Sequence, residues 1–166
     1  MKYFDPSDWQ YCEMDTDSAY IAISADNIDD LVMPHMRDEY IKDRCNWFPR
    51  NDTPENYSYD KRTPGLFKVE WEGDGIIGLC SKCYYCFGEH KDKYSCKGLQ
   101  KRVNNISKEK YLNVLLSQTA GCGINKGFRV RDNAMHTYTQ VRDALSYFYP
   151  KRKVLEDGVS TTYLDI

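Results

Sequence analysis

Tyr11-Cys12-Glu13-Met14-Asp15-Thr16-Asp17-Ser18 sets two carboxylates two residues apart, with Trp9 before the stretch and Tyr20, Ile21, Ala22 and Ile23 after it. Apolar residues on both sides of an acidic turn predict a buried β-hairpin over Trp9 to Ser24. On period-two geometry the two acids point in similar directions. Like charges held so close repel, and burying them costs of the order of several kcal/mol per ion unless cations neutralise them. One or two divalent metals are the natural completion, and phosphoryl transfer is the chemistry that uses them. An Asp-x-Asp also serves as a plain turn whose side chains cap their own backbone, so the rest of the chain has to decide. A calcium EF-hand beginning at Glu13 is excluded, because it needs Gly where Ser18 stands and Glu where Ser24 stands.

Downstream of the hairpin, Ser24, Asp26 and Asn27 offer N-caps, and Ile28, Leu31, Val32, Met36 and Tyr40 fall at helical spacing. Pro34 suits the first turn of a second helical piece that ends near Trp47. Arg50 to Thr63 holds Asn51, Asp52, Pro54, Glu55 and Asn56 and few aliphatics, so it is expected to be a solvent-facing loop. Strands are expected at Phe67 to Trp71, at Ile76 to Phe87 after a Gly73-Asp74-Gly75 turn, and around Lys97, all extending the first sheet. Ser107 caps a helix carrying Tyr111, Leu112, Leu115 and Leu116. Gly121, Gly123 and Gly127 are expected to break the chain, leaving a tail of short strands and turns as a separate small lobe. Phe128, Tyr138, Tyr147, Phe148 and Tyr149 crowd that tail, with Pro150-Lys151-Arg152-Lys153 behind them.

The size of 166 residues and 19.5 kDa allows one ordinary domain or two small lobes and excludes a complete replicative enzyme. Hydrophobic residues at 41% and charged residues at 29% are those of a chain that buries a core. The net charge of -2 conceals a polarity. Residues 1–60 carry 5 Lys and Arg against 14 Asp and Glu, whereas residues 61–166 carry 18 against 11. One part is therefore suited to cations and the other to polyanions, the pattern of a metal-dependent enzyme acting on nucleic acid. Within the basic part, residues 91–131 hold 10 Lys and Arg against 2 Asp and Glu, with Tyr94, Tyr111 and Phe128 interleaved. No run of about 18 apolar residues occurs, and Met1-Lys2-Tyr3-Phe4-Asp5 lacks the order of a signal peptide, so no membrane partner is expected. Seven cysteines, an odd number, read as reduced thiols. An intracellular location follows as an expectation, with nucleus or viral replication site left open.

The acidic hairpin resembles motif C of family B DNA polymerases, Tyr-x-Asp-Thr-Asp-Ser in the palm, although Tyr11 stands further from Asp15 than the motif's tyrosine does. Pro64-Gly65-Leu66-Phe67-Lys68 through Glu70, and then Ser81-Lys82-Cys83-Tyr84, resemble the downstream palm with its Lys-x-Tyr element. Lys97-Gly98 resembles the basic Lys-Gly element that follows. Gly127-Phe128-Arg129 and the segment from Tyr147 to Asp157 are similar to protein-primed polymerases of Polinton or Maverick transposons and related viruses. The resemblance implies an α+β fold: an antiparallel palm sheet with flanking helices over residues 1–104, then a small thumb-like lobe over 105–166. It implies Asp17 as the direct catalytic metal ligand, Asp15 as a secondary one, and Mg2+ as the cofactor of a two-metal site. It further implies Lys82, Tyr84 and Lys97 as DNA contacts. The implied partners are primer-template DNA, deoxynucleoside triphosphates and, for the protein-primed subgroup, a protein primer. Motif A, Asp-x-x-Ser-Leu-Tyr-Pro, and motif B, Lys-x-x-x-Asn-Ser-x-Tyr-Gly, do not occur in the sequence. One principal carboxylate is thus missing, and the isolated fragment is expected to be inactive.

The alternative is a non-catalytic, zinc-stabilised nucleic-acid-binding module built on Cys80, Cys83, Cys86 and Cys96. The first three, if on one strand, alternate faces and cannot converge without a knuckle, so buried or half-buried thiols compete with that reading. His35, His90 and His136 stand alone in the sequence and receive no role.

Overall fold

A computed structural model describes residues 2–89, 91–147, 152–158 and 160–163. The chain is α+β, with small antiparallel sheets and, among the described residues, three short α-helices. It divides into two compact units, Met1–Met14 with Ser18–Glu72, and Asp15–Asp17 with Gly73–Ile166. His90, Phe148, Tyr149, Pro150 and Lys151 lie outside the described residues, so of the basic tail only Arg152 and Lys153 are placed.

β1 (Trp9–Asp15) and β2 (Ser18–Ile23) form the expected hairpin as a sheet of their own, in the first unit except for the bend Asp15–Asp17, which groups with the second. The hairpin is not buried as expected: among the described residues no third strand joins it, and Tyr11 and Met14 are exposed. The core lies beside it, where Tyr3, Phe4, Leu31, Val32 and Tyr40 pack together. A Phe4–Val32 bridge and a Met33 N–H donating to the Tyr3 carbonyl at 3.0 Å tie the N-terminal segment down. Of the cap candidates Ser24, Asp26 and Asn27, only Asn27 is realised, and the Ser24 hydroxyl donates to Asp8 at 3.0 Å instead. Asn27 accepts the Asp29 N–H at the head of a 3-10 turn over Ile28–Leu31, and Pro34 opens a second over Pro34–Met36 that runs into α1 (Arg37–Asp43). Trp47 closes the following 3-10 turn. The Arg44 guanidinium holds Asp29 through both carboxylate oxygens at 3.1 Å, Tyr40 donates to the same carboxylate, and Arg44 also donates to the Pro49 carbonyl at 3.0 Å.

The expected loop from Arg50 to Thr63 contains a helix instead, α2 (Pro54–Asp60). Thr53 caps it by accepting the Asn56 N–H at 3.1 Å, and Pro54 occupies the first turn, where its missing N–H costs nothing. Its last residue, Asp60, is buried and takes three bonds from Arg50, at 2.7 and 2.8 Å from the guanidinium and 3.0 Å from the backbone N–H. The expected strand from Phe67 to Trp71 is absent; a bond from the Phe67 N–H to the Trp47 carbonyl, Phe67 near the Phe48 ring, the Lys68 ammonium donating to the Thr63 carbonyl and Trp71 near the Tyr20 ring anchor that segment.

The second unit is built on a three-stranded antiparallel sheet in the order β3 (Gly75–Cys80), β4 (Cys83–Phe87), β5 (Lys93–Cys96). Ile76 to Phe87 is therefore two strands rather than one, reversed at Ser81-Lys82 with Lys82 at φ +63°. These strands do not extend the first hairpin's sheet. Helix α3 (Lys108–Ser117) lies on one face of the sheet and buries Tyr111 and Val114 against Ile77, Leu79, Tyr85 and Leu99. Tyr111 is fully buried and donates to the Ser95 carbonyl at 2.7 Å. Leu115 and Leu116 of the same helix stay exposed.

Gly121, Gly123 and Gly127 do not break the chain. They lie in β6 (Gly121–Arg131), which pairs with β7 (Ala134–Leu145) in a long hairpin whose Asp132-Asn133 turn has both residues at positive φ, as two-residue hairpin turns require. A Cβ at Gly123 would sit 2.5 Å from the Leu99 side chain, so this glycine lets the ribbon seat on the core. Leu145 enters the same core. Position 104, the expected lobe boundary, falls inside this unit. A last small hairpin pairs β8 (Arg152–Val154) with β9 (Thr161–Tyr163).

Two outcomes test these cores. Tyr111→Ala should cost about 3–5 kcal/mol of unfolding free energy in a urea titration, with Tyr111→Phe losing about 1 kcal/mol for the single hydrogen bond. The Arg50 guanidinium holds the Asp60 carboxyl down at about 2, below its ordinary 3.8, so its contribution is present above pH 4 and lost as pH falls toward 2. Thermal melts across that range should show Asp60→Asn less stable than the parent at neutral pH, with the gap closing as acid is added.

Candidate nucleic-acid and metal site

The acidic bend is the tip of the first hairpin. β1 ends at Asp15, Thr16 takes φ +52°, and Asp17 is the second turn residue. Strand alternation thus does not relate the two acids; only Asp15 is on a strand, half-buried, and Asp17 is exposed. A bond of 2.6 Å from the Asp17 N–H to the Asp15 carbonyl tightens the bend, and the Thr16 hydroxyl donates to Asp15 Oδ1 at 3.1 Å.

Lys82 Nζ lies 2.8 Å from Asp15 Oδ1. The left-handed turn after β3 delivers it there, and the Lys82 carbonyl is held in turn by the Ser95 hydroxyl at 3.1 Å and the Lys97 N–H at 3.3 Å. The ammonium bonded to Asp15 holds that carboxyl below the ordinary range, with lesser help from the Thr16 hydroxyl and the charge of Lys97. Lys82 is raised correspondingly, by the bond to Asp15 first and by the field of Asp17 last. Asp15, Asp17, Lys82 and Lys97, chosen from sequence as two separate groups, thereby form one electrostatic cluster. Tyr84 lies in β4, half-buried, opposite Gly78 and Ser95, on the sheet face away from the Tyr85–Tyr94–Tyr111 core.

Carboxylate oxygens at a tight bend suit a hard cation such as Mg2+, which keeps several of its waters and needs few protein ligands. Two such side chains are present at the bend. Among the described residues, no group of three or more His, Cys, Asp and Glu side chains gathers as a metal cage. The four cysteines of the zinc reading are spread over three strands: Cys80 opposes Cys83, Cys83 opposes Cys96, and Cys86 opposes Ile76.

The β6–β7 ribbon sets its arginines on one face, whereas Lys126, opposite Thr139, is exposed on the other. On one face Arg129 opposes His136 and Arg142 opposes Gly123, with Arg131 at the tip, all three arginines exposed. On the other face Ile124 opposes Val141, Phe128 opposes Thr137 and Val130 opposes Met135, and those apolar side chains are exposed too. Other basic residues serve the fold: Lys101 covers the Tyr94 ring and donates to the Tyr94 carbonyl, and Lys108 sits over the Phe87 ring at 3.3 Å. The ion pairs Arg50–Asp60 and Arg44–Asp29 escape a sequence reading, because nothing in local spacing joins partners ten or more residues apart.

No family model, no curated protein and no solved structure matches this chain. No helix among the described residues is long and apolar enough to cross a membrane.

Removing the ammonium should release Asp15. In a carboxyl NMR titration Lys82→Met should raise the Asp15 midpoint toward the ordinary aspartate value; an unmoved midpoint would mean that the pair does not form in solution.

Proposed function

We propose that this chain is the C-terminal palm and thumb portion of a family B-type DNA polymerase, carrying part of a two-metal site for template-directed nucleotidyl transfer. The observation that carries the reading is the 2.8 Å pair between Lys82 and Asp15. The two stretches that resemble motif C and the Lys-x-Tyr element lie far apart in sequence, and a palm needs them side by side. An unrelated Asp-x-Asp turn has no reason to meet a lysine of that element.

In this reading Asp17, exposed and at the bend, is the direct ligand of Mg2+, and Asp15 supports the site from the strand end. When bound, the metal lowers the barrier by activating the attacking hydroxyl and screening the charge that develops on the transferred phosphate. Lys82 serves as counter-ion to Asp15 until a primer phosphate offers a competing anion, and Lys97 adds positive charge on the same side. Tyr84 supplies a hydroxyl and a flat face for the primer end. The arginine face of the ribbon lies along the duplex backbone, giving affinity without sequence choice. Primer-template DNA, deoxynucleoside triphosphates and a protein primer are the partners, and the missing motif A carboxylate leaves the isolated chain without turnover.

Fluorescence anisotropy with a labelled primer-template tests this. The logarithm of affinity should fall linearly with the logarithm of salt, and Arg129→Ala, Arg131→Ala and Lys82→Ala should each reduce the slope by about 1. Affinity that is absent or independent of salt would sink the reading. Primer extension by the purified chain, abolished by Asp17→Ala, would show a complete active site and overturn the incomplete one proposed here.

A further inference from the structure

Three cysteines form a row across the three-stranded sheet, Cys80 on β3, Cys83 on β4 and Cys96 on β5. The Lys97 N–H donates to the Lys82 carbonyl, so the 82–97 pair is hydrogen-bonded and the next pair, Cys83–Cys96, is of the non-hydrogen-bonded kind. Side chains stand closest at such pairs, with Cα atoms about 4.5 Å apart, inside the window of about 4.4–6.8 Å that a disulfide spans. Both thiols point the same way: Cys83 Sγ lies 3.8 Å and Cys96 Sγ 3.9 Å from the Ala144 carbonyl. They are 2% and 6% exposed, whereas Cys80, on the far side of Cys83, is half-exposed.

We propose that Cys83 and Cys96 are a thiol–disulfide pair, closed by exchange with a small-molecule disulfide that reacts first at Cys80. The Cys80 thiolate attacks the disulfide RSSR and expels one RS⁻, which takes up the proton Cys80 lost. Cys83 then attacks the Cys80 sulfur, expelling the second RSH and bridging 80 to 83. Cys96 attacks the Cys83 sulfur, and Cys80 leaves as a free thiol. The sum is two protein thiols and one RSSR converted to one protein disulfide and two RSH, with two electrons passing to the small molecule. The bond settles at 83–96 because that pair is in regular register, whereas the ladder is irregular between Gly78 and Cys80 and the 80–83 link spans the strained turn at Lys82. The hydrogen bond shared with Cys96, and then burial, push the Cys83 thiol up, so first attack on a small-molecule disulfide falls to Cys80, while the same bond holds the Cys96 thiol down and favours it as the attacking group of the last step. The inference does not depend on the polymerase reading.

The probe is oxidised glutathione, added to the purified folded chain, followed by alkylation in denaturant and peptide mapping by mass spectrometry. A Cys83–Cys96 linked peptide should appear, reverse with dithiothreitol and raise the melting temperature. Cys80→Ser should slow its appearance several-fold without changing the final link, and Cys96→Ser should abolish it. Cys83 and Cys96 both recovered alkylated, or carrying glutathione, after the exposed cysteines have reacted would overturn the pair. An unchanged rate in Cys80→Ser would overturn the relay. The wild-type map decides the pair even where a variant folds poorly.

Discussion

Two carboxylates at one bend need a counter-charge, and Lys82 provides it for Asp15. The arrangement depends on backbone more than on side chain. A lysine at positive φ is costly, and it persists here because the turn is held from several directions: β3 and β4 close it, the Ser95 hydroxyl and Lys97 N–H bind its carbonyl, and Tyr111 pins Ser95 from the helix side. The buried tyrosine, the middle strand and the charged turn are one mechanical chain. Its end is an ammonium placed against the acid at the hairpin tip.

The same chain explains what a linear reading could see. Caps were legible because their physics is local. Asn27, Pro34 and Ser107 each announce a helical start within a few residues, and the structure puts helical pieces at all three. Thr53-Pro54-Glu55 announces one equally well, but the polar composition of Arg50 to Thr63 masked it; what holds that helix is the Arg50–Asp60 pair, which no spacing rule contains. The acidic hairpin was legible as two strands and a turn, and the residues that the bend recruits were named, but not their mutual contact.

The turn at Ser81-Lys82 was not legible, because it has neither glycine nor asparagine where positive φ is required, so one long apolar run concealed two strands. That miss moved the cysteines. On a single strand Cys80 and Cys83 would face apart; on a hairpin they become neighbours, with Cys96 next in line. Read across strands, Cys80, Cys83 and Cys96 form one row, an arrangement that the order of residues along the chain does not reveal. The glycines of β6 misled in the opposite direction. They suggested breaks, whereas Gly123 exists to admit Leu99 and Gly127 to admit the Tyr138 ring.

Charge needs the same correction from sequence to space. Residues 91–131 look uniformly basic along the chain, yet a strand period of two separates what a helix or coil would mix. Arg129 and Arg131 fall on one side of the ribbon and Phe128 and Val130 on the other, while Lys101 and Lys108 are turned onto the aromatic rings of the sheet. Arg129 and Arg131 thus stand two residues apart, about 7 Å along one strand, in a line that a coil would not hold. Arginine suits that line better than lysine, since its planar fork binds phosphate through two bonds at once. The polarity of the sequence therefore has a consequence in the fold only because β6 and β7 stay paired to their tip; shortened by one turn of glycine-driven irregularity, the ribbon would scatter the same charges over a loop.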